Sequence, residues 1–132
     1  MKMRRLSRDE SGATMVEFAF ALPVLILMIW MLVQMGLLFR ANSGIQHALG
    51  EGARYATLWP TPTKDDVVSA MVESVDGVEP GEFVVPQPTN GTQDGSTYWD
   101  LTVTYTQETD MLLFPGPTVT MTRTKRVWVA PT

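Results

Sequence analysis

Three groupings of residues have types and spacings that could carry chemistry. The first is Gly12, Ala13, Glu17 and Phe18, in the segment SGATMVEF at the head of a long apolar run. An acidic side chain at the centre of a membrane helix costs about 2.5 to 3.5 kcal/mol on insertion scales. Near a helix end, Glu17 could lie shallow among the headgroups, favoured by the positive end of the helix dipole. Scission between Gly12 and Ala13 offers a second account. The new α-amine would stand four residues before Glu17, on the same helix face, and the two charges could neutralise each other within one subunit or between neighbours.

The other two groupings are weaker. His47 and Glu51 are four apart and invite a metal or acid–base role, but the chain has one histidine and no further ligand cluster, so a solvated helix face is the stronger reading. Asp65 and Asp66 fall in the first turn of a predicted helix, where the dipole accounts for them. No cysteine is present, no Gly-rich loop joins a strand to a helix, and no serine stands in a nucleophile-elbow context. The expectation is a chain that is not an enzyme, has no cofactor, metal or small-molecule substrate, and serves as a substrate itself.

The element that must position the first grouping is residues 11–39. Phe18 to Phe39 are 22 residues without a charge, roughly 33 Å of helix at about 1.5 Å per residue, enough for a hydrocarbon core of about 30 Å. The run is too long for a buried core helix, and longer than the apolar region of about 7 to 15 residues in a secretory signal peptide. It is expected to be retained as a single membrane span. Pro23 gives no N–H to Ala19 and crowds that turn, so a kink or local unwinding is expected there. Gln34 and Gly36 could meet another helix, or lie at the interface without a partner. Lys2, Arg4, Arg5 and Arg8 precede the span, whereas Arg40 and Arg54 follow it closely. The positive-inside rule then puts the N-terminus in the cytoplasm.

A short basic leader, then Gly12, then Glu17-Phe18 and an apolar helix resembles the processing site of type IV prepilins and pseudopilins. With Pro23 and the downstream E-G-A-R-Y-A at Glu51 to Ala56, the pattern more specifically resembles the TadE-like family of the tight-adherence (Flp, type IVc) pilus assembly system, over Arg8 to about Thr57. The resemblance implies a prepilin peptidase that cuts after Gly12 and reads Glu17 and Phe18. It also implies a minor pseudopilin whose partners are other pilins, pseudopilins and assembly proteins, with a bend at Pro23 that lets subunits pack. Its place would be the cytoplasmic membrane, or in or at the base of a pilus.

After Phe39 eleven acidic residues face six basic ones, which argues against nucleic acid, whose phosphates call for clustered Lys and Arg. Arg123, Lys125 and Arg126 read as a solvated strand edge. Ile45, Ala48, Leu49, Gly52, Ala53 and Ala56 recur at helical spacing, so the span should continue as an amphipathic stalk carrying Glu51, Gly52, Ala53, Arg54 and Tyr55. Trp59 to Pro62 stop it. Thr63 with Asp66 forms a capping-box variant for a second helix whose stripe is Val67, Val68, Met71, Val72 and Val75, ended by Asp76-Gly77. Glu82 to Val85 is a strand candidate, TNGTQDGS at 89–96 is a polar loop with two turn signals, and Trp99, Leu101, Val103 and Tyr105 alternate as a half-buried strand. Its partner would be residues 118–129, leaving the core midway or lying at an edge. Met111 to Phe114 should fold back on the stalk as core, the alternative being an exposed contact, and Pro115-Gly116-Pro117 should bar regular structure after it.

The expected architecture is α+β and pilin-like: a membrane-spanning helix continuing into a stalk, a short second helix and a three-stranded antiparallel sheet. The divisions are a leader at 1–12, a span at 13–39, a stalk at 40–59 and an extracytoplasmic domain at 60–132. The alternative function is an uncleaved single-pass protein displaying a binding domain outside the membrane.

Overall fold

The computed structural model of the protein describes residues 10–75 and 79–130. Helix α1 (Glu10–Ala56) runs 47 residues without interruption, about 70 Å at 1.5 Å per residue. Of the leader expected over 1–12, residues 1–9 lie outside the described residues, while Glu10, Ser11 and Gly12 already belong to the helix. From Met15 to Phe39 the helix exposes most of its large apolar side chains. Among the described residues, α1 is the one helix long and apolar enough to cross a membrane. The helical run is unbroken at Pro23, so no melted turn forms there.

Beyond Phe39 the same helix becomes one wall of a core. Ala41, Ile45, Ala48, Leu49 and Ala56 are buried, at the 3- and 4-residue spacing that puts them on one face. Helix α2 (Lys64–Glu73) starts at a full capping box, the Thr63 side chain accepting from the Asp66 N–H and the Asp66 carboxylate accepting from the Thr63 N–H. It buries Val67 and Met71 against α1, whereas Val72 is exposed. The helix end expected at Asp76-Gly77 lies outside the described residues; α2 itself ends at Glu73.

Among the described residues the sheet has four antiparallel strands where three were expected: β1 (Glu82–Val84), β2 (Thr89–Gln93), β3 (Ser96–Asp110) and β4 (Pro115–Trp128). Central β3 carries β4 along one side. On its other side β2 pairs with residues 96–100 and β1 with 104–106, one after the other. The sheet is therefore three strands wide at most, although four in number. The extra strand is β2, taken from the stretch read as a loop. Asp94 (φ 52°) and Gly95 (φ 78°) both have positive φ, which a two-residue hairpin turn matched to strand twist requires, and Gln93 faces Ser96 across it. Asn90 and Gly91 are ladder residues rather than a turn, and the Gly91 Cα leaves room for the Tyr98 ring.

Two expectations about the second hairpin are corrected. Pro115-Gly116-Pro117 does not bar regular structure, because β4 begins at Pro115 on a strand that pairs on one side alone, where a missing N–H can point away from the ladder. Residues 111–114 are not core: Leu112, Leu113 and Phe114 are exposed at the hairpin tip. The physical reason is the length of β3, whose 15 residues carry the hairpin past the packed region. Leu101, Val103 and Tyr105 on β3 close the core together with Val127 and Val129, and Arg123 and Lys125 lie exposed on the edge strand.

Candidate functional site

Helix α1 places Gly12, Ala13, Glu17 and Phe18 in consecutive turns, with Ala13 and Glu17 on one face. All four are exposed. A Cβ added at Gly12 would meet nothing within 4 Å. A glycine inside a helix costs about 0.8 to 1.0 kcal/mol relative to alanine, and no packing among the described residues accounts for it. The arrangement is an exposed helix end with a bare glycine, a small residue after it and a carboxylate one turn on.

The stalk motif lies far from this end. Glu51 is 39 residues beyond Gly12, about 58 Å along a straight helix, so the two segments are not one site. Arg54 Nη2 and Nε donate to Glu51 Oε2 at 2.9 and 3.0 Å, and that hydrogen bond, with the attraction of the guanidinium, holds the Glu51 carboxyl below the usual range. A surface pair of this kind adds little stability. Gly52 is the structural centre of the motif. It is buried, and a Cβ there would run into Met71 Cγ, lie 2.6 Å from Met71 Sδ and 3.2 Å from Leu101 Cδ1. Here α1, α2 and β3 meet. Ala53 and Tyr55 pack at the margin of the core, and Ala56 is inside it.

Gln34 finds a partner on the sheet of its own chain. Its Oε1 accepts from Gln107 Nε2 at 3.3 Å, while Gln107 Oε1 accepts from Tyr105 Oη at 2.6 Å. Gln107 is 1 % exposed, so this relay ties the sheet to the apolar half of α1. Burial raises the Tyr105 hydroxyl pKa above its ordinary value, opposed by a backbone hydrogen bond from Gly81. One helical turn below, Trp30 Nε1 donates to the Asp110 carbonyl at 2.7 Å. Gln107 was missed in the sequence, yet it continues the inward alternation of Leu101, Val103 and Tyr105 by one step.

Arg126 belongs to a cluster of its own. It forks onto both Asp100 oxygens at 2.8 and 2.9 Å and stacks over the Tyr98 ring at 3.8 Å. The hydrogen bond from Arg126 lowers the Asp100 pKa. Gly36, where a Cβ would meet nothing within 4 Å, is open along the apolar half of α1. Among the described residues no three His, Asp or Glu side chains converge.

Residues 12–54 match the family model described as TadE-like protein. The match opens on Gly12 and closes within the stalk motif at Arg54, before α2 and the sheet begin. No curated protein and no solved structure matches the chain.

Proposed function

We propose that this chain, whose residues 12–54 carry the TadE-like pattern, is a minor pseudopilin of a tight-adherence type pilus system. It is cut after Gly12, held by α1 in the cytoplasmic membrane, and joined to other pilus subunits through that helix. The TadE-like match and the single membrane-length helix together fit a membrane protein related to pilus assembly. The finer reading rests on one observation above the others: the matched segment starts at a helical glycine that nothing among the described residues requires. An outside reader, a prepilin peptidase, would supply the requirement. The open Gly36 and the exposed apolar face from Met15 to Phe39 support helix-to-helix contacts as the mode of assembly. In this role the chain is a substrate and a structural subunit, with no chemistry of its own.

The test is the intact mass of the protein extracted from membranes that also contain a prepilin peptidase. A chain beginning at Ala13 is expected, and Gly12→Leu should leave the leader in place. Retention of Met1 in the wild-type chain under those conditions would refute processing and favour the uncleaved, membrane-anchored binding protein.

A further inference from the structure

We propose that the tip of the β3–β4 hairpin is a membrane-inserting wedge, entering the leaflet on the domain's side of the bilayer that α1 crosses. The tip carries Met111, Leu112, Leu113 and Phe114, followed by Pro115, Gly116 and Pro117, and residues 111–122 contain no charge. Leu113 is 74 % and Phe114 61 % exposed. In water such a patch would be a liability. Its position relative to α1 identifies what covers it. The bond from Trp30 to the Asp110 carbonyl puts the tip beside residue 30, nine residues short of Phe39, where the apolar run ends. At 1.5 Å per residue that is about 13 Å toward the membrane interior. Wherever between Trp30 and Phe39 the hydrocarbon closes, the tip lies at or below that plane.

Two carboxylates limit the depth. Glu108 and Asp110 flank the tip and are exposed, so they belong among the headgroups. The hydrocarbon boundary then falls near Trp30, where an indole suits the interface. From Ala13 to Trp30 are 18 residues, about 27 Å of helix, close to the thickness of the core; this length puts Glu17 one turn inside the inner boundary, where a carboxylate costs up to about 2.5 to 3.5 kcal/mol. The outer limit of the span moves inward from Phe39, and residues 31–39 lie at headgroup level beside the hairpin. There Met31, Gln34, Leu38, Met111, Pro117 and Val119 line an open crevice of about 190 Å³ between helix and hairpin.

The backbone of the tip fits the same environment. Buried in lipid, a peptide N–H needs an internal acceptor. Met111 N–H donates to the Phe114 carbonyl, Leu112 N–H to Asp110 Oδ1 and Leu113 N–H to the Met111 carbonyl. Leu112 holds φ at 67°, a conformation that a branched side chain rarely adopts and that glycine would take freely. A leucine at that position makes sense where its side chain is used.

The proposal rests on α1 crossing the membrane and not on cleavage after Gly12. The chain lacks cysteine, so single sites can be labelled with an environment-sensitive fluorophore in the full-length protein reconstituted in phosphatidylcholine vesicles. The sites are Leu113→Cys at the tip, Val24→Cys within α1 and Thr92→Cys at the far end of the sheet. All three replaced residues are exposed, so labelling leaves the core intact. Acyl-chain nitroxides should extinguish most of the emission at positions 113 and 24 and little at 92, whereas aqueous iodide should do the reverse. If position 24 is quenched by lipid and 113 by iodide, the wedge is refuted and the span stands. Shielding of position 113 from both quenchers, with energy transfer between labelled copies that fades on dilution in lipid, overturns the wedge and makes the tip a subunit contact. If position 24 also escapes the lipid quencher, span and wedge fall together.

Discussion

Replacing Gly52 by alanine sets two effects against each other, and the structure decides between them. Alanine is the better helix former by about 0.8 to 1.0 kcal/mol. The added methyl would collide with Met71, lying 2.6 Å from its Sδ, and sit 3.2 Å from Leu101 Cδ1, where carbon atoms settle at about 3.5 to 4.0 Å. Met71 and Leu101 are both fully buried, so neither can swing into solvent, and overpacking of this kind costs about 1 to 3 kcal/mol. Gly52→Ala should therefore be neutral to destabilising by about 2 kcal/mol. Gly50 provides the control, because a Cβ there meets nothing within 4 Å. Gly50→Ala should stabilise by up to about 1 kcal/mol through propensity alone. Denaturant titration of the full chain in detergent, followed by tryptophan fluorescence, measures both. Equal stabilisation by the two substitutions would refute the three-way contact at Gly52. A further check is Gly52→Ala combined with Met71→Ala, whose costs should add to less than their sum because the cavity accepts the methyl.

Three other outcomes are expected. Gln107→Ala removes the acceptor of the buried Tyr105 hydroxyl and the partner of Gln34, and should cost about 1 to 3 kcal/mol in the same titration. Gly95→Ala, at a φ of 78°, should cost about 1 to 2 kcal/mol because a Cβ meets the following carbonyl in that conformation. The carboxyls of Asp100, Asp66 and Glu51 titrate below their ordinary values, chiefly through hydrogen bonds from Arg126, Thr63 and Arg54 respectively. Depressed carboxyls stabilise fully above their unfolded pKa values of about 3.9 to 4.3, and that contribution is lost as pH falls through the folded values. Thermal melting should thus be insensitive to these groups near neutrality and fall below about pH 4, less steeply for Asp100→Asn.

What the sequence revealed follows from the range of each interaction. The apolar run, the buried face of Ile45, Ala48, Leu49 and Ala56, the Thr63 and Asp66 cap and the alternation of β3 are set by neighbours within a turn or two, and these elements are legible. Strand β2 is not, because its composition is that of a loop and it becomes a strand through pairing with residues 96–100. The 111–114 tip was misjudged because a leucine pair followed by phenylalanine looks like core unless the length of β3 is known. The partner of Gln34 lies 73 residues away, beyond any local pattern. The glycines divide in the same way: a close approach explains Gly52, whereas Gly12 and Gly36 answer to nothing among the described residues.

Helix α1 is one unbroken helical run from Glu10 to Ala56, and its last turns are themselves a side of the folded head. The head consequently has no loop between itself and the span on which to swivel. If a neighbour shifts its grip on the lipid-facing half by one residue, the rod turns by about 100°, and the sheet takes up the same bearing far above. Shank and bit form a single key, so whatever fits the lower part also sets which way the upper part points.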